Sequence, residues 1–389
     1  MRSRAWTSWR AAMWSDGSAG GGTRNDRLVA AVLAHPELVF ELSPADLDLA
    51  LRLLRRARLT GRIGHILQAD GSLNRLDSVV ADQLRGGLAF AESRQRAARW
   101  ELDRVKWALA GQRDFPLVAL KGCAYMLADL PNARGRMFAD VDLLVPEDRL
   151  RDVEECLRMH RWTASELPAY DDRYYREWAH ELPPLSHPER NVQVDVHHNV
   201  LMRTARLKPD PSLMLRDARP VAGTGYHVLS PIDMVLHAMT HLLYGGEMDD
   251  ALRELVDVNL LLRHYAETES GFWDAFWPRA LQLQLGRPAY YGLRYASRLL
   301  DTPVPKVVLN SSDAAAPPAA VRSTMDRLVP RTLFPQHPDE PSETASLARW
   351  LLFLRTHWIR MPPVMLATHL ATKAGRRLVG RWSASAHSG

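Results

Sequence analysis

Asp140 and Asp142 are the residues whose type and spacing speak most directly of chemistry. They sit in the run Phe138-Ala139-Asp140-Val141-Asp142-Leu143-Leu144-Val145. In a strand, alternate side chains share a face, so both carboxylates project together while Val141, Leu143 and Val145 point into the layer behind. At about 4 Å two such charges repel by roughly 1 kcal/mol in water, and by about four times that at a protein-like dielectric. The pair therefore asks for a cation. An all-oxygen donor set favours Mg²⁺ or Mn²⁺, which in turn favours a phosphate-bearing substrate. A third acid, Asp195, lies in Asn191-Val192-Gln193-Val194-Asp195-Val196-His197-His198. There Val192, Val194 and Val196 make one face, and Gln193, Asp195 and His197 the other, as in a half-buried strand.

The elements that must position these acids begin upstream. Leu117 to Leu120 is a short apolar run that breaks at Lys121-Gly122, passes through a helical segment and a turn-rich loop containing Arg136, and returns as the Asp-x-Asp strand. A Gly turn after one strand, Asp-x-Asp on a second and a lone acid on a later one resembles the DNA polymerase beta-like nucleotidyltransferase superfamily. The chain is most similar to a poorly characterised bacterial nucleotidyltransferase family within it. The residues that carry the likeness are Leu120-Lys121-Gly122, Arg136, Asp140, Asp142, Leu143-Leu144-Val145 and Val194-Asp195-Val196-His197, and it runs from about Arg27 to about Pro305.

The resemblance implies an α+β fold, with a small mixed β-sheet of nucleotidyltransferase type between N- and C-terminal helical flanks. It implies metal-dependent transfer of a nucleoside monophosphate from an NTP, ATP among them, to a hydroxyl of a small molecule, peptide or protein, including tailoring of natural products or polysaccharides. In that reaction positioning and charge neutralisation dominate. Asp140 and Asp142 would hold the metal that carries the triphosphate and, with Asp195, a second metal, with Asp195 also able to accept the hydroxyl proton. Lys121, Gly122, Cys123 and Arg136 would bind the nucleotide, Gly122 by letting the backbone approach and Lys121 and Arg136 as counter-charges. His197 would support Asp195. One departure stands out: many superfamily members have Gly-Ser at the turn, whereas Gly122-Cys123 offers a thiol, a weak donor. Two other readings keep the same residues in view: a non-catalytic nucleotide-binding or toxin-antitoxin-like module of the same fold, and an RNA-directed transferase.

Across its 389 residues the chain is 46% apolar and 24% charged, ordinary for a globular protein, with a formal charge of +5. Arg360, Lys373, Arg376, Arg377 and Arg381 concentrate that charge at the end of the chain, so nucleic acid is not an expected partner. The two cysteines, Cys123 and Cys156, have no metal-ligand spacing and read as buried small apolar residues in a reducing cytoplasm. No run is long and apolar enough for a membrane span or a signal peptide.

Composition divides the chain into a disordered tail over 1–26, a helical region over 27–110, the catalytic core over 111–205, a second helical region over 206–310, a Pro/Ala/Ser-rich linker over 311–344, and a terminal helix with a basic tail over 345–389. In the second helical region Asp233, His237 and His241 stand four apart but lack the Glu of a metalloprotease helix, so they read as structural. Arg253 and Asp257 read as an intrahelical pair. Tyr170, Tyr174, Tyr175 and Trp178 read as a loop packing on the sheet.

Overall fold

In the computed structural model of the chain, residues 23–368 are described, apart from 112–113, 166–167, 246–247, 249 and 313–314. The expected tails at 1–22 and 369–389 lie outside the described residues. Helix starts follow side-chain caps. Thr23 and Asp26 close a capping box on α1 (Arg24–Ala34), and Ser43 with Pro44 opens α2 (Pro44–Arg56). Next come α3 (Thr60–Ala69) and the long α4 (Ser78–Ala108), which Asp77 caps. These two helices approach closely because their contact is glycine: a Cβ on Gly64 would stand 2.6 Å from the Leu84 carbonyl oxygen, and one on Gly61 would stand 2.9 Å from that of Gly87.

The middle of the chain alternates short strands and helices: β1 (Val118–Ala119), α5 (Lys121–Leu127), β2 (Asp140–Leu144), α6 (Leu150–Met159), β3 (Thr163–Ala164), α7 (Ala169–Arg173), β4 (Leu185–Ser186) and β5 (Gln193–His197). After α8 (Pro211–Arg216), the hairpin β6 (Arg219–Val221) and β7 (Tyr226–Val228) returns to the same sheet. The seven strands lie in the order β3-β4-β5-β2-β1-β7-β6. β2 runs parallel to β5, and β1 parallel to β7, while β1 and β2 are antiparallel. Val141, Leu143, Val194 and Val196 fill the core behind the centre of this sheet.

The sheet therefore extends past residue 205, where helix was expected to resume. Its last two strands are three residues each, too short for alternation to show. Gly223 and Gly225, both at positive φ, make the turn.

Helices close the far side: α9 (Pro231–Tyr244), α10 (Ala251–Thr268), α11 (Phe272–Gln282), α12 (Gly286–Leu300) and α13 (Lys306–Asn310). Where composition suggested a linker, α14 (Ala319–Leu333) buries Met325, Val329 and Leu333, and Asp326 binds Arg294 of α12 at 2.6 Å. Its prolines mark helix ends and one interior position rather than an unstructured run. Among the described residues the last long helix, α15 (Glu343–Arg360), is tied back to the core. Thr204 donates to the Arg360 carbonyl at 2.7 Å, and the Arg360 side chain donates to the Gly245 carbonyl at 2.6 Å. Among the described residues no helix is long and apolar enough to cross a membrane.

Candidate active site

Register places the three acids. β2 and β5 pair so that Asp142 lies beside Asp195 and Asp140 beside Gln193. Asp140, Asp142 and Asp195 then share one face, with a carboxylate oxygen of each within 4.8 Å of the others. Asp142 is buried, while Asp140 and Asp195 are half-buried. Repulsion from Asp142, then burial, raises the Asp140 carboxyl above its ordinary range. Burial, then the charge of Asp142, pushes Asp195 up to about 7. Three carboxylate oxygens this close could hold a metal ion, and an all-oxygen donor set suits a hard cation such as Mg²⁺ or Mn²⁺.

Asp142 behaves differently from its neighbours. Lys121 Nζ stands 2.8 Å from its Oδ1, and His197 Nε2 stands 3.1 Å from the same oxygen. Burial pushes this carboxyl up, but Lys121 and His197 outweigh burial and hold it well below the usual carboxylate range. His197 was expected to support Asp195; the structure joins it to Asp142 instead. His197 lies two residues along β5 from Asp195, on the same face, and so reaches Asp142 diagonally across the pair of strands. The other His197 nitrogen, Nδ1, faces Glu181 Oε2 at 3.1 Å. Burial lowers the His197 pKa, and the two carboxylates reverse this and raise it.

The turn before α5 differs in detail from its sequence reading. Lys121 takes the left-handed conformation, with φ of 46°, a strained backbone for a residue with a side chain. Gly122 is glycine for space: a Cβ there would stand 2.5 Å from Arg136 Nη1 and 3.1 Å from the Phe138 ring. The Cys123 thiol is buried and faces the Asp140 carbonyl oxygen at 3.7 Å, so its side chain is turned to the protein. Arg136, expected as a free phosphate counter-charge, already has a carboxylate: its Nη2 stands 2.9 Å from Asp257 Oδ2, both side chains buried. Asp257 of α10 thus pairs with Arg136 of the loop before β2 and not with Arg253, which donates to the Met137 carbonyl at 2.9 Å and to Asp250 at 2.7 Å. Together these side chains pin the loop that enters β2.

The model of a family described as uncharacterised nucleotidyltransferases matches residues 43–301. The chain belongs to that family. Among solved structures, the crystal structure of JHP933 from Helicobacter pylori is similar over 67% of this chain and 94% of that one, at 12% identity and a TM-score of 0.30. No curated protein matches.

Several residues around this nucleotidyltransferase-family site escaped the sequence reading. Arg94, on α4, donates to the Phe138 and Ala139 carbonyls at 3.0 and 2.8 Å and reaches the Asn191 carbonyl at 3.4 Å, joining the entry ends of β2 and β5. Nothing in an amphipathic helix singles out such an arginine. Glu181 comes from the aromatic stretch, where it pairs its backbone with His197 in an isolated bridge. From the same stretch, Tyr175 enters the field of the site: burial, then Glu181, Tyr174 and Asp195, push its hydroxyl up to about 12. The α9 residues are structural, as expected. Asp233 binds Arg279 at 2.6 Å, His241 binds Glu254 at 2.9 Å, and burial holds His237 well below the usual histidine range. Cys123 is buried and Cys156 half-buried, both free.

Proposed function

We propose that this chain is a metal-dependent nucleotidyltransferase that moves a nucleoside monophosphate from an NTP to a hydroxyl of a small-molecule or peptide/protein acceptor. The observation that carries the reading is the convergence of Asp140, Asp142 and Asp195 within 4.8 Å on one face of two register-locked strands, in a chain of this family. A divalent cation held there would neutralise triphosphate charge and lower the pKa of the acceptor hydroxyl.

The remaining roles belong to the chain's own residues. Asp195, its pKa pushed up to about 7, would accept the hydroxyl proton. Lys121, 2.8 Å from Asp142 Oδ1, would neutralise that carboxylate and hand its contact to a phosphate oxygen when nucleotide binds. His197 and Glu181 orient Asp142. Arg136, through Gly122 and Asp257, holds the turn against β2 as a positioning residue.

Calorimetric titration of ATP, GTP, CTP and UTP, with and without Mg²⁺, into wild type and Asp140→Asn/Asp142→Asn tests this. One nucleotide is expected to bind in the presence of metal and to be lost in the double variant. Binding that ignores both the metal and the substitutions would instead support a non-catalytic nucleotide-binding module.

A further inference from the structure

Beside the carboxylate cluster lies a second group of different chemistry. His180, Glu181 and His197 each offer one ligand atom, and these atoms lie within 4.8 Å of one another. We propose that His180, Glu181 and His197 form a separate site for a borderline transition-metal ion, of the class of Zn²⁺ or Co²⁺, adjoining the oxygen-ligated site at Asp142. Two imidazoles with one carboxylate are a poor set for Mg²⁺ and a good one for these ions, and three protein ligands leave positions for water.

The backbone ties these residues together. Glu181 and His197 are bridged antiparallel, with the Leu182 N–H donating to the Val196 carbonyl at 2.9 Å and the His198 N–H to the His180 carbonyl at 2.8 Å. The two imidazole rings lie 5.3 Å apart between centroids.

Hydrogen bonding alone accounts for two members of the group. His197 Nδ1 meets Glu181 Oε2 at 3.1 Å, and its Nε2 meets Asp142 Oδ1 at 3.1 Å. It leaves His180 unexplained, because the Nδ1 of His180 is buried with no hydrogen-bond partner, an arrangement that costs free energy unless something occupies it. A cation replacing the proton that His197 Nδ1 shares with Glu181 would leave His197 Nε2–H donating to Asp142. A carboxylate behind the far nitrogen is the usual support of a metal-bound histidine. The Glu181 side chain keeps 25% of its surface exposed, which gives the ion an entry from solvent.

The proposal stands on this geometry and not on nucleotide transfer, so failure of nucleotide binding leaves it intact. The full-length chain, stripped by a chelator, is titrated with Co²⁺ while visible absorption is followed, and then challenged with Zn²⁺ and with Mg²⁺. Wild type is expected to bind Co²⁺ with a nitrogen-ligand spectrum that Zn²⁺ abolishes and excess Mg²⁺ does not. That spectrum is expected to persist in Asp140→Asn/Asp195→Asn and to vanish in Glu181→Gln and in His180→Ala, with far-ultraviolet circular dichroism unchanged. Should His180→Ala fail to fold, the partly exposed Glu181→Gln alone decides. Absence of the spectrum in wild type overturns the proposal, as does its persistence in Glu181→Gln or its loss in the double aspartate variant.

Discussion

Asp195 is the residue whose chemistry is most dependent on its surroundings. With its carboxyl pushed up to about 7 from an ordinary 3.8, it enters the folded state more readily protonated than ionised. A carboxyl with a raised folded pKa contributes stability that is present below the unfolded value and lost as pH rises through the folded one. The metal-free protein is therefore expected to lose thermal stability between about pH 4 and about pH 7, and Asp195→Asn to flatten that slope. Cation binding needs the ionised form, so Mg²⁺ affinity is expected to climb over the same window with release of a proton. Calorimetry in buffers of different ionisation enthalpy measures the proton directly. A pH-independent Mg²⁺ affinity would show that Asp195 is not a ligand.

At the scale of elements, the site is a matter of holding β2 and β5 in one register, and Arg94 of α4 does this from outside the sheet. Arg94→Ala leaves the Phe138 and Ala139 carbonyls without their charged donor, and losing hydrogen bonds of this kind costs about 1–3 kcal/mol. Urea unfolding is expected to show that loss. Mg²⁺ affinity should fall with it, because slippage of the strand ends moves Asp140 relative to Asp195. Unchanged metal affinity in a destabilised Arg94→Ala protein would detach α4 from the site.

Elements of this kind also mark what was legible beforehand. The Asp-x-Asp strand and the Val192–Val196 alternation could be read because period-2 patterning survives over five or more residues. The β6–β7 hairpin could not, at three residues a strand. Gly122 reads in the sequence as a turn that lets the backbone approach phosphate, whereas the space it leaves for Arg136 is a property of the packed protein. The partners of Arg136, His197 and Asp257 all lie across long separations, where local spacing carries no information.

For the whole molecule, the family match ends at residue 301, yet the chain goes on packing after it. Met325, Val329, Leu333, Ala348 and Leu352 are buried on α14 and α15, and Arg360 closes onto Gly245. A chain ended after residue 310 would expose the surfaces these helices cover. It is expected to unfold at lower temperature than the full chain in differential scanning calorimetry; an unchanged transition would mean that α14 and α15 are an independent addition.

The pairing of β2 with β5 encloses everything between residues 145 and 192, including α6, β3, α7 and β4. Closing so long a loop is entropically expensive, and non-local pairings of this sort slow folding. Here that pairing also brings the carboxylates of Asp142 and Asp195 side by side. Refolding of the metal-free chain is therefore expected to be slow at neutral pH and faster with Mg²⁺ present, as stopped-flow fluorescence would record, so that the ion would act as a folding partner before it acts on any substrate.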